Sequence, residues 1–391
     1  MQARQMRRAF GLRARELAVA AGLATALAVR ADDQTWLDTN VDNLWSTGAA
    51  NWDTGVWVDG NNALFGGTGE AVEIDGAVSA VNLTFNVNGY TIADANANGT
   101  LTLVGAPSLI TVTSAGHTAI VSEAIGGAAG FTKQGAGVLQ ITGANTFGGQ
   151  LLVSSGILRL SAANAAALGA TGAGNETIVT NGAALDFAGA YSGGNRAEDF
   201  IVSGSGVDGS GALVNNGTGM SNVGLRNLTL AGDATLGGGS RFDLSSAGWF
   251  AGNGFTLTKA GAMEMAVTRY MSNCTIVING GLYTIQHANA LGEADHDTYV
   301  NGGRLNCWGN YKIAERVVLG GGGLSQGSSN TTLNLSGHLT FTSNTYVNSA
   351  IDRRVLLSGT VDGAGGITNP GVGALILASD AIAYEIGRAH V

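Results

Sequence analysis

The sequence predicts an all-β protein, a single-stranded right-handed parallel β-helix with a Trp-rich N-terminal cap. Three observations carry that reading. The stretch Gly130–Gly149 (GFTKQGAGVLQITGANTFGG) recurs in degenerate copies, its first half at Leu257–Met265 (LTKAGAMEM) and nearly all of it at Gly366–Tyr384 (GITNPGVGALILASDAIAY). The segment after it also returns, Ser155–Gly169 (SGILRLSAANAAALG) as Gly280–Gly292 (GGLYTIQHANALG), and Thr180–Leu185 echoes at Val300–Leu305. Finally, the 391 residues include 63 glycines but only 2 prolines, with 45% apolar residues, a composition of many tight turns between short strands rather than of disorder.

The strands are legible one by one. Val72–Asp75, Val81–Phe85, Leu101–Val104, Val138–Thr142, Ile157–Leu160, Leu228–Leu230 and Thr275–Ile278 alternate apolar and polar over a few residues, the period of half-buried strands. Asn-Gly steps at 88–89, 98–99, 181–182, 279–280 and 301–302 punctuate them, because Asn and Gly tolerate the left-handed backbone of sharp turns. A helix signal outside the N-terminus is confined to Ala162–Leu168. One such unit cannot bury its apolar face alone, so neighbours must stack. At roughly 20 residues per coil the chain gives about 15 coils, a rod on the order of 70 Å at the inter-strand spacing. Scarce proline agrees with a continuous ladder, which needs every N–H donor.

Residues 1–31 read as an export signal. Arg4, Arg7, Arg8, Arg13 and Arg15 precede the apolar run Leu17–Val29, and Val29 and Ala31 suit cleavage before Asp32. Arg7-Arg8-Ala9-Phe10 also resembles a twin-arginine signal, so the export route stays open. The run is too short for a membrane span, which needs about 20 residues. Without this segment 13 basic and 27 acidic residues remain, a net charge of −14. That balance argues against nucleic acid and anionic lipid as partners and for a soluble extracytoplasmic rod, expected to be monomeric.

Residues 32–75 hold four of the six tryptophans, Trp36, Trp45, Trp52 and Trp57. The preferred reading is a cap over the unpaired edge of the stack, the alternative an aromatic platform for a sugar. Cys274 and Cys307 carry no metal-ligand spacing and are read as small core residues, with a disulfide between stacked coils as the alternative.

At this level of detail the repeat resembles the autotransporter-associated β-strand repeat. The resemblance rests on Gly130, Phe131, Thr132, Lys133, Gly135, Gly137, Leu139 and Ile141, then Gly143, Ala144, Asn145, Thr146, Phe147 and Gly149, then Ser155, Gly156 and Leu158. It is strong over about 40 residues and partial elsewhere, with Asn369 in place of the lysine in the last copy. The resemblance implies a passenger-type, pectin-lyase-like solenoid, secreted or held at the surface of a Gram-negative-type bacterium; it implies no shared activity, and the expected role is structural or adhesive. An extracellular glycan or another cell-surface ligand is the expected partner. The expected organisation is a signal at 1–31, a cap at 32–75 and a β-helix passenger at 76–384, with repeats near 126–169, 254–292 and 361–384. Within the first repeat, Phe131, Leu139 and Ile141 are expected to face the core. Its glycines and Asn145 take the turns, and Lys133 belongs to the repeat rather than to catalysis. The family's complete chains end in an outer-membrane barrel, which this sequence does not supply. Glu385–Val391 (EIGRAHV) matches the translated read-through of a common sequencing adapter and is expected to be an assembly artefact, with the gene continuing.

No catalytic, cofactor or metal residue is assigned. The best candidate cluster for Ca²⁺ or for polysaccharide cleavage is Glu293-Ala294-Asp295-His296-Asp297, near Arg304, read as a solvated loop because its spacing matches no EF-hand or RTX pattern. Asp352-Arg353-Arg354 reads as an exposed turn, and Gly320–Gly323 precedes no helix and so forms no phosphate loop. His117, His287, His296, His338 and His390 pair with nothing at metal-ligand spacing. The turn asparagines Asn164, Asn181, Asn289 and Asn301 are read as turn caps. A carbohydrate-active β-helix enzyme, such as a polysaccharide lyase, is the competing reading.

Overall fold

Period-2 strands separated by glycine corners leave each coil one way to satisfy its backbone, which is to lie flat on the next. The computed structural model, which describes residues 31–94, 96–161, 166–190 and 198–378, shows that arrangement. Strands from Asp33 to Leu377 form a parallel β-helix of about 14 turns, and no helix occurs among the described residues. The export signal, the adapter-like tail and most of the helix signal at Ala162–Leu168 lie outside these residues; Ala166, Ala167 and Leu168 form a turn.

Every strand pairs in parallel with the strand one coil away. A first ladder runs through Asn61–Phe65, Ala77–Phe85, Ser108–Val112, Phe131–Gln134, Leu151–Val153, Thr177–Val179 and Asp199–Gly204. A second runs through Ala71–Ile74, Thr91–Asp94, Thr118–Val121, Val138–Ile141, Gly156–Leu160, Ala183–Asp186 and onward to Val361–Gly363. A third runs from Met220–Leu225 to Ile367–Thr368, and a fourth from Tyr311–Ile313 to Ala374–Leu377. In the second ladder Leu257, Ile276, Thr298, Val317, Leu339 and Val361 are consecutive in register, so late coils take 19 or 22 residues. Earlier coils vary more: Phe131, Leu151, Thr177, Phe200 and Leu228 are successive partners, 20 to 28 residues apart.

Alternate residues of each strand point inward and form one continuous apolar column from Trp36 to Val361. Phe131, Leu139 and Ile141 are fully buried in it. Cys274 and Cys307 are both free and buried, as small core residues, and lie at different ladders. At the N-terminal end Trp36, Trp45, Trp52 and Trp57 are each 2% exposed or less. They pack edge to face on one another, Trp45 on Trp57 at 5.1 Å and Trp36 on Trp52 at 5.3 Å, and Trp45 and Trp52 reach Phe65 of the coil above. Buried in this way, they offer no open platform to a sugar.

Candidate functional site

The repeat motif explains itself once its lysine is located. Lys133 is fully buried, and its Nζ donates to three backbone oxygens, Gly135 O at 2.7 Å, Gly137 O at 2.7 Å and Ser155 O at 2.8 Å. The first two belong to the corner that follows its own strand and the third to the next coil. All three ammonium protons are therefore satisfied, which is what a buried cation requires. Lys259 repeats the device, donating to Gly261 O at 2.9 Å and Gly280 O at 2.6 Å, with a longer contact to Ala260 O at 3.3 Å. Burial pushes both ammoniums down to about 8.

The glycine opening the next strand is the other half of this lock. A Cβ on Gly156 would stand 2.5 Å from the Lys133 Nζ, and one on Gly281 2.4 Å from the Lys259 Nζ. Both glycines also have positive φ, +65° and +60°. The Ser-Gly pair after the repeat is thus the seat of the lysine head. In the last copy Asn369 is exposed and donates only to Gly373 O, at 3.2 Å.

Two features of the repeat differ from the sequence reading. Asn145 does not merely take a turn. It is buried, its Oδ1 accepting from Ile125 N at 2.8 Å and its Nδ2 donating to Ala167 O at 2.6 Å, so that it ties together three coils. Moreover, the motif marks a corner and not a fixed phase of the coil. Its first copy leads from the first ladder to the second, but Lys259 lies in the second ladder, paired with Leu236 and Ile278, and its copy leads to the third. The last copy leads from the third ladder to the fourth.

The acidic candidate cluster separates into two parts. Ligand atoms of Glu293, Asp295 and His296 lie within 4.8 Å of one another. Both Glu293 oxygens are engaged, however: Oε1 accepts from the Tyr270 hydroxyl and Oε2 from Asn273 N at 2.6 Å. His296 Nδ1 lies 2.9 Å from Asp295. Asp297 turns away to accept from Arg316 Nη1 at 3.0 Å and Tyr299 at 3.1 Å. Arg304 starts a strand of the third ladder and makes no ion pair with the cluster. Arg353 reaches Gln326 O at 3.4 Å from the turn at Asp352, and Gly320–Gly323 form a corner. Among the turn asparagines, Asn301 donates to Asn279 at 3.1 Å across coils, Asn181 is exposed, Asn289 O accepts from Met271 N at 3.0 Å, and Asn164 lies outside the described residues.

Two lateral depressions stand out among the described residues. One of about 490 Å³ is lined by small polar groups, among them Asn181, Ser203, Ser205, Asp233, Thr256 and Thr258. The other, about 330 Å³, is lined by Ser246, Trp249, Thr268, Arg269, Tyr270 and His287. Sequence reasoning passed over the second. The available signal was that Trp249 and Trp308, the two tryptophans outside the N-terminal cluster, fall next to glycines beyond any alternating run.

Known proteins carry the same unit. The family described as Passenger-associated-transport-repeat matches residues 131–160, the span of the Lys133 lock from the buried Phe131 through Gly156. The chain carries an autotransporter passenger repeat at these residues. It is 39% identical over 160 residues to the "Adhesin BmaC autotransporter" of Brucella suis biovar 1 (strain 1330), a match covering 38% of this chain and 4% of that adhesin. The chain thus spans a small part of that relative's length. No solved structure matches. The passenger repeat accordingly names a structural unit, and Lys133, Asn145 and Gly156 are the residues through which this chain builds it.

Proposed function

We propose that this passenger acts at the bacterial surface as an adhesive rod and does not catalyse a reaction. Its expected setting is secreted and outer-membrane associated, with residues 1–31 as the export signal and 32–75 as the cap of the rod. The observation that supports the reading is the buried lysine lock. Two of the chain's three lysines, Lys133 and Lys259, are spent inside the coil on backbone carbonyls and are not available as a catalytic base. Of the acids nearest to a metal arrangement, Glu293 holds Tyr270 and Asn273 in place through both of its oxygens. What faces outward is a lateral surface on a stiff, ladder-bonded support, which suits presentation and resistance to proteolysis. The relative's name as an adhesin agrees with it.

The test is direct. Beads coated with the purified chain should adhere to host-cell or matrix-coated surfaces above beads coated with an unrelated acidic protein. The same preparation should release no unsaturated or reducing ends from a panel of acidic polysaccharides. Cleavage that is lost in Asp295→Asn or Asp297→Asn would replace this reading with the lyase.

A further inference from the structure

Among the described residues the exposed aromatic side chains are Trp249, Tyr270 and Trp308, 47%, 43% and 46% exposed, and all three lie on one stretch of the lateral surface. Trp249 and Tyr270 belong to successive coils and line the 330 Å³ depression with His287 of the coil after them. Trp308 comes next, since Ile285 and Cys307 are register partners and Trp308 N donates to Ile285 O at 2.9 Å.

The walls are held rigidly. The Tyr270 hydroxyl is anchored on Glu293, which fixes the ring. Trp249 is gripped through its backbone, its N donating to Asn227 Oδ1 at 3.3 Å and its O accepting from Arg269 Nη1 at 2.7 Å. The floor is cationic. Arg269 is 5% exposed, and its other terminal nitrogen donates to Leu225 O at 2.8 Å. Arg226, whose Nε donates to Ala247 O at 2.9 Å, adds a second positive charge close enough to act on Arg269. No carboxylate pairs with either guanidinium among the described residues. His287 Nδ1 accepts from Asn289 N at 3.0 Å, which leaves the Nε2 proton as a donor. Aromatic faces, hydroxyls and N–H donors over an uncompensated positive charge make a donor-rich, half-apolar site in an otherwise acidic protein.

We propose that this depression is a subsite for one carboxylate-bearing pyranose of an extracellular polysaccharide. A pyranose has an apolar C–H face for Trp249 and Tyr270 and hydroxyls for Ser246, Thr268 and the His287 N–H. Its carboxylate supplies the counter-charge that Arg269 and Arg226 lack. The net negative charge of the rod does not oppose this at physiological salt, where its field is screened within about 8 Å. The inference deepens the adhesive reading and rests on it for its biological sense.

The experiment titrates the full chain with a galacturonate oligomer and with a neutral galactose oligomer of the same length, following tryptophan fluorescence and heat. The galacturonate oligomer should bind and the neutral one should not. Trp249→Ala and Tyr270→Ala should each weaken binding by about tenfold or more, with far-UV circular dichroism and melting unchanged; Asn181→Ala in the other depression should not. Equal binding of both oligomers overturns the acidic assignment, and wild-type affinity in the Trp249→Ala/Tyr270→Ala double variant overturns the site. Bead adhesion measured in parallel separates the two readings. Adhesion without oligomer binding overturns the subsite and leaves the surface role, whereas oligomer binding without adhesion overturns the surface role and leaves the subsite.

Discussion

The two populations of tryptophan in this chain are placed oppositely. Trp36, Trp45, Trp52 and Trp57 are buried together at the N-terminal end, whereas Trp249 and Trp308 stand nearly half exposed on the flank. At the N-terminal end of the described strands these rings pack on one another and on Phe65, an arrangement that fits the cap proposed for this end. On the flank every coil already has both neighbours, and an indole there is left nearly half exposed. The same side chain therefore contributes to stability at one place and is available for recognition at the other.

The largest expected effect lies at the end. Trp52→Ala removes a ring in contact with Trp36, Trp45, Trp57 and Phe65 and should cost about 3–5 kcal/mol. In a stacked fold this loss should be local, so hydrogen exchange should show lost protection at residues 33–85 while later coils keep theirs. Trp249→Ala should stay within about 0.5 kcal/mol of wild type. Equal destabilisation by the two would break the comparison.

Next come the lysine locks, which carry the same buried-versus-exposed contrast into a charged residue. Lys133→Met removes three buried hydrogen bonds from Nζ to carbonyl oxygens and should destabilise its coils by about 2–4 kcal/mol, read as a lower urea midpoint and early proteolysis near residue 135. Gly156→Ala should resemble it, because the added methyl group would stand 2.5 Å from Nζ and as close to the carbonyl oxygens that Nζ holds. A chemical readout sharpens the point. Of the chain's three lysines only Lys312 is exposed, so an amine-acylating reagent should modify it in the native protein and reach Lys133 and Lys259 only after unfolding.

The smallest effect concerns the thiols. Burial pushes Cys274 up to about 12 and Cys307 up to about 11 from an ordinary 9.0. With folded values above the unfolded one, their contribution is intact below pH 9 and is lost as pH rises through 11 to 12. Replacing both by alanine should flatten that part of an alkaline unfolding curve, and native thiols should stay inert to a disulfide reagent at pH 8. Prompt reaction of either in the native state would contradict the buried placement.

Much of the architecture was legible because it rests on local rules. Alternation placed Val138–Ile141 and Thr275–Ile278 as strands, and the echoes of Gly130–Gly149 required stacking. Phe131, Leu139 and Ile141 face inward because a period of two leaves them no other side. What escaped was whatever depends on how many residues lie between rungs. A copy of the motif at 257 looks like a repeat in phase with the one at 131, yet coils of 19 to 28 residues shift it onto a different face. The bridging role of Asn145 depends on residues 20 positions before it and 22 after it. The Trp249–Tyr270–His287 depression likewise joins three coils through register alone, and no local pattern announces it.

The seat of Lys133 has a genetic consequence. The lysine and the glycine that makes room for it are 23 positions apart, and Lys259 and Gly281 are 22 apart. A duplicated segment is viable as a unit only if it copies both, or if it joins a new lysine to an existing glycine at the same phase. A crossover between them at any other offset would press an ammonium group against a side chain. Recombination in such genes is thereby biased towards whole-coil increments, so the rod can change length while each lysine keeps its glycine seat.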